Sequence, residues 1–522
     1  MNRESCIAQL KSTKEDWDFI VVGGGATGLG IAVDAATRGY KTVLLEQSDF
    51  AKATSSRSTK LVHGGVRYLQ KGDVGLVREA LRERGYLRKN APHLVKNQRF
   101  IIGNYRWWEK PFYTIGLTVY DLLAGKMGLG HSIPMSKKEV IKHVPEIERK
   151  NLKGGVAYKD GQFDDARLAV NLVQTAVENG ANVVNYVKVT ELLKDANGKV
   201  SGVVAYDVLQ GDTFKLNGKC IINATGIFVD DIIKMDAPEE KPLVRPSQGV
   251  HLVVHKSFLG GDDAIMVPKT SDGRVMFGVP WHNRVILGTT DTPVKDFVLE
   301  PKALQEEVDF ILETAGRYLT RKPTRKDVLC VFAGLRPLAA PQKHADEAKT
   351  KEISRSHKLI ASDSDLITIT GGKWTTYRIM AEETVDLAIK RKKLQERTCK
   401  TKNLKIHGHR ENPDYNHWLY VYGSDQDEIL RLQKENPEYA GKLIDGYDFT
   451  VSEIVWAVRR EMARTVDDVL ARRIRILYLD AKASIEIAPK VAKIMAQELQ
   501  KDETWEKEQI KTYTEMAKCY LA

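Results

Sequence analysis

The first fifty residues contain a strand, a helix and a second strand. A short apolar run, DFIVV, leads through a glycine cluster into the alanine-rich stretch GLGIAVDAATRG, and a second apolar run ends at Glu46. Short apolar runs of this kind are typical of buried strands, and the longer stretch between them is typical of a helix. The N-terminal part of the chain is therefore predicted to be an α/β domain.

Later segments repeat both kinds of pattern. Helices are predicted at residues 76–90, 165–179 and 301–320, and strands at residues 220–226 and at several places between 245 and 300. A hairpin is predicted to turn at Asn197 and Gly198. Residues 96–150, rich in aromatic residues, glycine and proline, are predicted to be irregular. From about residue 390 glycine becomes rare and the pattern is helical almost to the end, which predicts a separate helical domain.

Length and composition are those of an ordinary globular protein. With 522 residues, 42% hydrophobic and 29% charged, two or three domains are expected. The net charge of +11 is compatible with nucleic acid, anionic lipid or small anions as partners. Because the basic residues are interleaved with acidic ones, a solvated basic surface is favoured over nucleic-acid binding. The five cysteines lie far apart, so no metal site or redox dithiol is predicted.

No membrane-spanning helix is predicted. A span needs about 18 or more apolar residues, and the nearest candidate, residues 114–130, is interrupted by Asp121 and Lys126. The N-terminal sequence lacks the apolar core of a secretion signal and contains acidic residues, which argues against a mitochondrial presequence. Any membrane contact is therefore expected to be peripheral.

Gly23, Gly25 and Gly28 form a GxGxxG motif between the first strand and the first helix of the α/β unit. The first glycine permits a tight turn, the second lets backbone N–H groups approach a diphosphate, and the third allows close helix packing. The helix N-terminus also favours an anion. Glu46 is placed to accept hydrogen bonds from a ribose diol and to repel a 2′-phosphate. The motif predicts a dinucleotide site and leaves FAD and NAD open.

The segment ATSSRSTKLVHGGVRYL (residues 53–69) is predicted to face the same ligand. It offers the hydroxyl groups of Thr54, Ser55 and Ser56, which suit a phosphate or a flavin edge. His63 precedes two glycines, where backbone can approach a flat ring. On composition alone, a histidine is more often structural than a catalytic base, and both interpretations stay open.

Two other segments combine small residues with cations. INATG (residues 222–226) ends an apolar strand in small residues against which a cofactor can lie. TGGKWTTYR (residues 370–378) has a glycine pair that opens a helix and can face an anion. Arg336, Arg355 and Lys373 stand in apolar or glycine-rich surroundings, where a cation needs an anionic partner. That partner is either a phosphate or carboxylate substrate or an internal carboxylate.

Together these segments resemble the FAD-dependent glycerol-3-phosphate dehydrogenase family. The resemblance spans nearly the whole chain, with the segments in the family order. The segments are VVGGGATGLG, ATSSRSTKLVHGGVRYL, DDARL (164–168), INATG, LGTTDT (287–292), GLRPL (334–338), GGKWTTYR and WAVRREMARTVDDVLARR (456–473).

The resemblance implies a fold of class α/β plus α. It implies a glutathione-reductase-like FAD domain, a mostly antiparallel substrate domain and a helical C-terminal domain. We assign residues 1–95, 150–240 and 345–390 to the FAD domain. Residues 96–149 and 241–344 are assigned to the substrate domain, and residues 391–522 to the helical domain.

The resemblance also implies the chemistry: oxidation of glycerol 3-phosphate to dihydroxyacetone phosphate by hydride transfer to non-covalent FAD. His63 is predicted to be the base, with His251 as a second candidate, and Arg336 is predicted to assist catalysis. The predicted substrate-binding residues are Arg67, Tyr68, Arg336, Arg355 and Lys373. The predicted cofactor-binding residues are Gly23, Gly25, Gly28, Glu46, Thr54, Ser55, Ser56, Lys60, Val189, Ala224, Gly226, Gly372 and Thr375.

The expected electron acceptor is ubiquinone or menaquinone, at an anionic membrane surface. A peripheral protein on the cytoplasmic side of a bacterial inner membrane is expected, with no nucleic-acid partner, and a homodimer is compatible with the resemblance. No EF-hand loop occurs. The rival function is a glycerol-3-phosphate oxidase that passes electrons to oxygen. The chain is shorter than the resemblance implies for such oxidases, which favours the dehydrogenase.

Overall fold

The structure, a computed structural model, describes residues 1–70, 72–339 and 357–522. Within these ranges it contains two sheets. The strands are β1 (Trp17–Val22), β2 (Thr42–Leu45), β3 (Leu61–Val62), β4 (Val95–Asn104), β5 (Ile133–Ser136), β6 (Gly154–Phe163), β7 (Asn182–Val184), β8 (Val187–Lys194), β9 (Val200–Asp207), β10 (Thr213–Asn223), β11 (Val244–His255), β12 (Ala264–Val267), β13 (Met276–Trp281), β14 (Arg284–Gly288), β15 (Thr292–Pro293), β16 (Val328–Ala339), β17 (His357–Ala361) and β18 (Ile367–Gly371).

Helices surround both sheets and make up most of the tail. They are α1 (Arg3–Ser12), α2 (Ala26–Thr37), α3 (Val66–Gln70), α4 (Val74–Asn90), α5 (Glu109–Ala124), α6 (Lys137–His143), α7 (Asp165–Glu178), α8 (Val229–Asp236), α9 (Gln305–Tyr318), α10 (Tyr377–Lys392), α11 (Gln426–Glu435), α12 (Val451–Arg460), α13 (Ile476–Leu479), α14 (Ala481–Leu499) and α15 (Glu503–Ala517). None of the helices in the described ranges combines the length and the apolar composition that a membrane span requires.

The first sheet has the strand order β17-β18-β10-β1-β2-β7, with β9 and β8 continuing from β10. β1 pairs in parallel with both β10 and β2, and β10 pairs in parallel with β18. Strands β1 and β2 are buried along their whole length, apart from one half-buried residue, as expected for a parallel sheet covered on both faces. The carboxyl ends of these strands meet at one edge, where ligands bind in open α/β sheets.

The second sheet is mostly antiparallel and has the order β15-β11-β14-β13-β12-β4-β6-β3, with β16 also paired to β11 and β5 to β6. It contains β3 and β6, although residues 150–240 and 1–95 are assigned to the FAD domain from sequence. β6 pairs with β4 over its full length, so β6 belongs to the second sheet, and the domain boundaries stay a prediction. The mostly antiparallel character is confirmed.

Local patterns predict most of the elements correctly. The helix at residues 76–90 is α4, the helix at 165–179 is α7, and the helix at 301–320 is α9. The hairpin at Asn197 and Gly198 joins β8 to β9. The prediction of irregular structure at residues 96–150 is wrong, because β4, α5 and α6 lie there. α5 escapes prediction because one of its faces is apolar and exposed, which obscures the usual polar and apolar alternation.

Buried ion pairs join the tail to the first sheet and to α7; we call them the junction. Arg473 donates to both carboxylate oxygens of Asp49, at 2.8 and 2.9 Å, and Arg472 Nε donates to Asp49 at 2.5 Å. Arg167 donates to both oxygens of Glu461, at 2.8 and 2.7 Å. Burial raises the pKa of Asp49, but the two guanidinium groups outweigh it and hold that pKa at about 2.

Two of the family segments supply this junction. DDARL contributes Asp164, which pairs with Arg475 at 2.8 Å, and Arg167. The segment at residues 456–473 contributes Glu461, Arg472 and Arg473. These side chains are shielded from solvent, so the two segments hold the tail on the body of the protein.

Candidate cofactor and substrate site

An elongated cavity lies at the carboxyl ends of β1, β2, β10 and β18. Its outer chamber, of about 470 Å³, is bordered by Glu46 and Val189, and its inner chamber, of about 280 Å³, is bordered by His63 and Arg336. Both volumes are close to those of small-molecule sites, which run from about 300 to 1,000 Å³. The two chambers share the lining residues Gly25, Thr54, Ser55, Ala224 and Gly226.

The glycines at the start of α2 let backbone approach the cavity. Gly23 has φ +109°, and a Cβ there would lie 2.7 Å from the carbonyl oxygen of Ala224. A Cβ on Gly28 would overlap the carbonyl oxygen of Gly23. Gly25 stands at the N-terminus of α2 and lines both chambers. A diphosphate at this N-terminus would meet backbone N–H groups of the first turn and the positive end of the helix dipole.

Glu46 lies at the wall of the outer chamber, just after β2. Its Oε2 accepts from the backbone N–H of Gly24 at 2.6 Å, and its Oε1 accepts from that of Ser48 at 2.8 Å. Burial raises its pKa, and the two backbone hydrogen bonds oppose that rise. Each carboxylate oxygen keeps a further acceptor site, which fits a ribose diol.

Two of the predicted cofactor contacts turn away from the cavity. Thr54 and Ser55 line both chambers, but Ser56 is buried with its hydroxyl 3.3 Å from that of Tyr478. Lys60 has φ +62°, and its Nζ pairs with Asp165 at 2.7 Å. Neither Ser56 nor Lys60 lines a chamber, and the cofactor-binding assignment of both stays a prediction.

The inner chamber is closed by residues that bind to one another through backbone groups. The indole Nε1 of Trp374 donates to the carbonyl oxygen of Ser55 at 2.8 Å. The backbone N–H of His63 donates to the hydroxyl of Thr375 at 3.2 Å. Gly371 and Gly372 both have positive φ, 80° and 74°, so the chain can turn there toward the cavity. His63 is thereby fixed beside the glycine pair.

Arg336 and Lys373 both line the inner chamber. Arg336 is partly exposed, and its guanidinium contacts the hydroxyl of Thr289 at 3.1 Å and the carboxylate of Asp291 at 3.3 Å. Gly249 makes room for it, because a Cβ there would overlap the guanidinium. Lys373 Nζ lies 4.0 Å from the ring centre of Tyr68.

His251 is the second histidine of the inner chamber. Its ring stacks on Phe332 with the ring centres 4.8 Å apart, and its Nε2 lies 2.9 Å from the hydroxyl of Thr59. Burial first, and then the charges of Arg336 and Lys60, hold its pKa well below the usual value for histidine. The imidazole is therefore neutral at physiological pH.

Of the remaining predicted site residues, some line the cavity and others lie outside the described part of the chain. Val189, Ala224, Gly226, Gly372 and Thr375 line the cavity. Arg355 lies outside the described residues, and so does the side chain of Arg67. These two assignments stay predictions.

Sequence reasoning missed one wall of the outer chamber. Phe297, Val298 and Leu299, from the loop after β15, line the outer chamber, and the first two are exposed. An adjacent pair of large apolar residues in a loop was the available signal, since such pairs often cover a ligand. Arg57 was also missed; it lines the inner chamber and is held by Glu300 at 2.6 Å.

Comparison with known proteins agrees with this geometry. Residues 18–387 match the model of the FAD dependent oxidoreductase family, and residues 364–507 match that of the C-terminal domain of alpha-glycerophosphate oxidase. The family match includes the glycine turn, Glu46 and both chambers, which together fit an elongated dinucleotide with a diphosphate at α2. The chain is thus an FAD-dependent oxidoreductase.

Three relatives narrow this class. The mitochondrial glycerol-3-phosphate dehydrogenase of Mus musculus is 40% identical over 98% of this chain and 74% of its own length. That of Schizosaccharomyces pombe is 36% identical over 95% of this chain and 86% of its own. The solved structure of the glycerol-3-phosphate dehydrogenase from Bacillus halodurans, complexed with FAD, is 30% identical and has a TM-score of 0.81, covering 100% of this chain and 98% of that one. The chain belongs to the glycerol-3-phosphate dehydrogenase family.

Proposed function

We propose that the protein oxidises glycerol 3-phosphate to dihydroxyacetone phosphate and passes the electrons to a membrane quinone. The observation that carries this proposal is the inner chamber, in which Arg336 and Lys373 border the same space as His63 and His251. A phosphate dianion fits a chamber with two cations, and removal of a hydroxyl proton needs a base within reach. The names of the relatives support the same substrate.

The protein residues bind, orient and deprotonate the substrate in this proposal. Bound FAD would accept the C2 hydrogen with its two electrons as a hydride. Arg336 and Lys373 hold the phosphate group and thereby fix the distance of C2 from the cofactor. The hydroxyl proton passes to His63, which the backbone hydrogen bond to Thr375 keeps in place.

His251 is the second candidate for the base. It is neutral and can therefore accept a proton, but burial and the charges of Arg336 and Lys60 hold its pKa well below the usual value for histidine, which makes it a weak base. Its hydrogen bond to Thr59 further suits it to holding the substrate hydroxyl in line. If His63 is the base, His63→Gln is expected to lower the rate of flavin reduction more than His251→Gln does, as measured by anaerobic stopped-flow reduction with glycerol 3-phosphate.

Attachment to a membrane is part of the proposal, and α5 is the surface proposed for it. One face of α5 packs inward through Leu117 and Tyr120. The opposite face and the preceding loop expose large apolar side chains, with 83% of Trp107, 67% of Ile115 and 75% of Leu122 accessible. An exposed apolar helix face with tryptophan beside it is typical of a helix lying in the interface of a bilayer.

The same helix contacts the chain segment that carries His63. The hydroxyl of Tyr120 accepts from the backbone N–H of Gly64 at 2.8 Å, and Gly64 follows His63. A membrane held at the outer face of α5 would thus be separated from the segment of His63 and Gly64 by this helix. This proximity supports a quinone as the electron acceptor.

A vesicle experiment tests the surface. Phe112→Ser with Leu122→Ser is expected to lower co-sedimentation with vesicles that contain phosphatidylglycerol. The matched control, Val208→Ser with Leu209→Ser, removes two exposed apolar residues at another surface and is expected to bind like the wild type. Equal loss in both pairs would contradict α5 as the membrane face. The cytoplasmic side of a bacterial inner membrane and the homodimer stay predictions, for cell fractionation and sedimentation in detergent to test.

Anaerobic reduction of the flavin tests the substrate. Glycerol 3-phosphate is expected to bleach the flavin absorption of the purified protein, and a quinone analogue is expected to restore it faster than air does. Faster re-oxidation by air, with release of hydrogen peroxide, would favour the oxidase. A flavin that glycerol 3-phosphate leaves oxidised would overturn the substrate assignment.

A further inference from the structure

A second cavity, separate from the cofactor chambers, lies where α4, the turn after α5 and the segment before α11 meet. Its volume is about 430 Å³, within the usual range of about 300–1,000 Å³ for small-molecule sites. We call it the cationic pocket. Its polar lining includes Arg88, Lys89, Lys126, Lys405, His409 and the single acid Glu411.

The pocket carries an excess of positive charge. Lys405 lies 3.8 Å from Glu411, which also lines the pocket, and Lys89 donates to the side-chain oxygen of Asn403 at 2.9 Å. Across residues 1–70, 72–339 and 357–522, no carboxylate forms an ion pair with Arg88 or Lys126. The four cations therefore face one acid, and an anion entering the pocket would be attracted.

His409 distinguishes the pocket from a solvated group of lysines. Its Nδ1 lies 3.0 Å from the carbonyl oxygen of Asn90 and must donate, because a carbonyl only accepts. Its Nε2 is shielded from solvent, and no residue of the described ranges hydrogen-bonds to it. His409 therefore lines the cavity with a ring whose second nitrogen is buried and has no hydrogen-bond partner in the described ranges.

The wall that carries His409 is rigid. The backbone carbonyl of Asn90 also accepts from Ile406 N–H at 3.0 Å, and the Asn90 side chain donates to the carbonyl oxygen of Thr401 at 2.9 Å. Gly85 lets the turn that carries Lys126 lie on α4, because a Cβ there would be 2.6 Å from Met127. The cations are thus presented by two packed walls.

We propose that the cationic pocket binds a phosphate group. A compact anion with several acceptor oxygens can bind the guanidinium of Arg88 and the ammonium of Lys126 together. The phosphate belongs either to a phospholipid headgroup or to a soluble phosphate compound. The pocket begins at Lys126, four residues after Leu122 at the end of the apolar α5 face, so both sources can reach it.

Titration of the flavin-loaded protein with inorganic pyrophosphate, followed by calorimetry at constant ionic strength, tests the site. Arg88→Gln with Lys126→Gln is expected to weaken binding by about tenfold or more, since it removes two charge-assisted hydrogen bonds. The matched control is Lys482→Gln with Lys493→Gln, which removes the same charge from the exposed side of α14 and is expected to bind like the wild type. The flavin spectrum is expected to stay unchanged, because the ligand is outside the cofactor chambers.

Vesicles separate the two sources of phosphate. If the pocket variant also loses preference for phosphatidylglycerol over phosphatidylcholine vesicles, the ligand is a lipid headgroup; if that preference is kept, it is a soluble phosphate compound. Pyrophosphate binding that is unchanged in the pocket variant, or equally weakened in the control, would overturn the proposal. None of these measurements uses glycerol 3-phosphate, so the proposal stands or falls separately from the proposed reaction.

Discussion

The cofactor cavity and the junction use charge and backbone in opposite ways. The cavity is shaped largely by glycine backbone at Gly23, Gly25 and Gly372, and it leaves polar groups turned toward a ligand. The junction is shaped by long charged side chains, and each is matched by a partner within the protein, as Arg473 is by Asp49. The cavity leaves hydrogen-bonding groups for a ligand, whereas the junction uses its charged groups in ion pairs within the protein.

This difference explains why the two regions respond differently to substitution. Removal of one partner from a buried ion pair leaves a charge without compensation, which costs about 3–5 kcal/mol. A side chain at the wall of a cavity is already in contact with solvent or ligand, so its loss is felt mainly in binding. The junction is therefore expected to control stability and the cavity to control activity.

The largest effect is expected at Asp49. Asp49→Asn leaves Arg472 and Arg473 with one neutral partner in place of a carboxylate, and both guanidinium groups are buried. The free energy of unfolding is expected to fall by about 3–5 kcal/mol, measured by chemical denaturation of the flavin-loaded protein. Asp212→Asn breaks the exposed pair with Lys11 and is expected to cost less than about 1 kcal/mol. Similar losses in the two variants would remove the distinction between junction and surface.

The contact between α7 and the tail is also expected to weaken at alkaline pH, because His407 loses its proton there. Its ring lies between Glu178 at 2.5 Å and Asp425 at 2.8 Å, so it bridges α7 and the tail. Burial lowers its pKa, but Asp425 and Glu178 outweigh this and raise the pKa to about 9. Because the folded protein binds this proton more tightly than the unfolded chain, the stabilisation is full below about pH 6.5 and lost as pH rises through about 9.

Unfolding measured between pH 6 and pH 9.5 checks this effect. The wild type is expected to lose about 3 kcal/mol at most from this histidine over that range. His407→Gln carries the same neighbours without the titrating ring, so its stability is expected to change less with pH. Parallel pH profiles for the two proteins would show that the imidazolium does not hold the junction.

Sequence predicted the cavity better than the junction for a physical reason. The requirements of backbone turns are local, so the glycines and Glu46 could be assigned from their spacing in the first fifty residues. Arg336 and Arg167 look alike in sequence, and only folding shows that Arg167 meets Glu461, which is 294 residues away. The segment at residues 456–473 could therefore be linked to the family without revealing its structural part.

The positions of two side chains beside the cavity depend on tertiary contacts in the same way. Ser56 and Lys60 lie in a segment whose neighbours Thr54 and Ser55 do line the chambers. The positive φ of Lys60 turns its side chain inward to Asp165, where it also lies over aromatic rings. Nothing in the local pattern distinguishes that backbone conformation, because left-handed residues other than glycine depend on tertiary contacts.

Arg336 tests the cavity side of the comparison. Arg336→Gln is expected to lower kcat/KM for glycerol 3-phosphate by an amount equivalent to about 1.5–3 kcal/mol, the usual contribution of hydrogen bonds to charged groups. The free energy of unfolding is expected to stay nearly unchanged, because the guanidinium is partly exposed. Stopped-flow flavin reduction and chemical denaturation measure the two quantities. A loss of stability comparable to that of Asp49→Asn would mean that Arg336 belongs with the internal ion pairs.

The smallest effect is expected at Ser55, because backbone rather than side chain shapes the diphosphate end of the cavity. The Ser55 hydroxyl accepts from the N–H of Ala26 at 3.0 Å, in the first turn of α2. Ser55→Ala is expected to lower the free energy of unfolding by about 1 kcal/mol, as for the loss of a helix cap. The flavin is expected to stay bound. Gly28→Ala is as small a change as Ser55→Ala, but the added Cβ would overlap the carbonyl oxygen of Gly23. Loss of flavin is therefore expected for Gly28→Ala. If Ser55→Ala released the flavin while Gly28→Ala kept it, side chains would have to be the main determinant of cofactor binding at this turn.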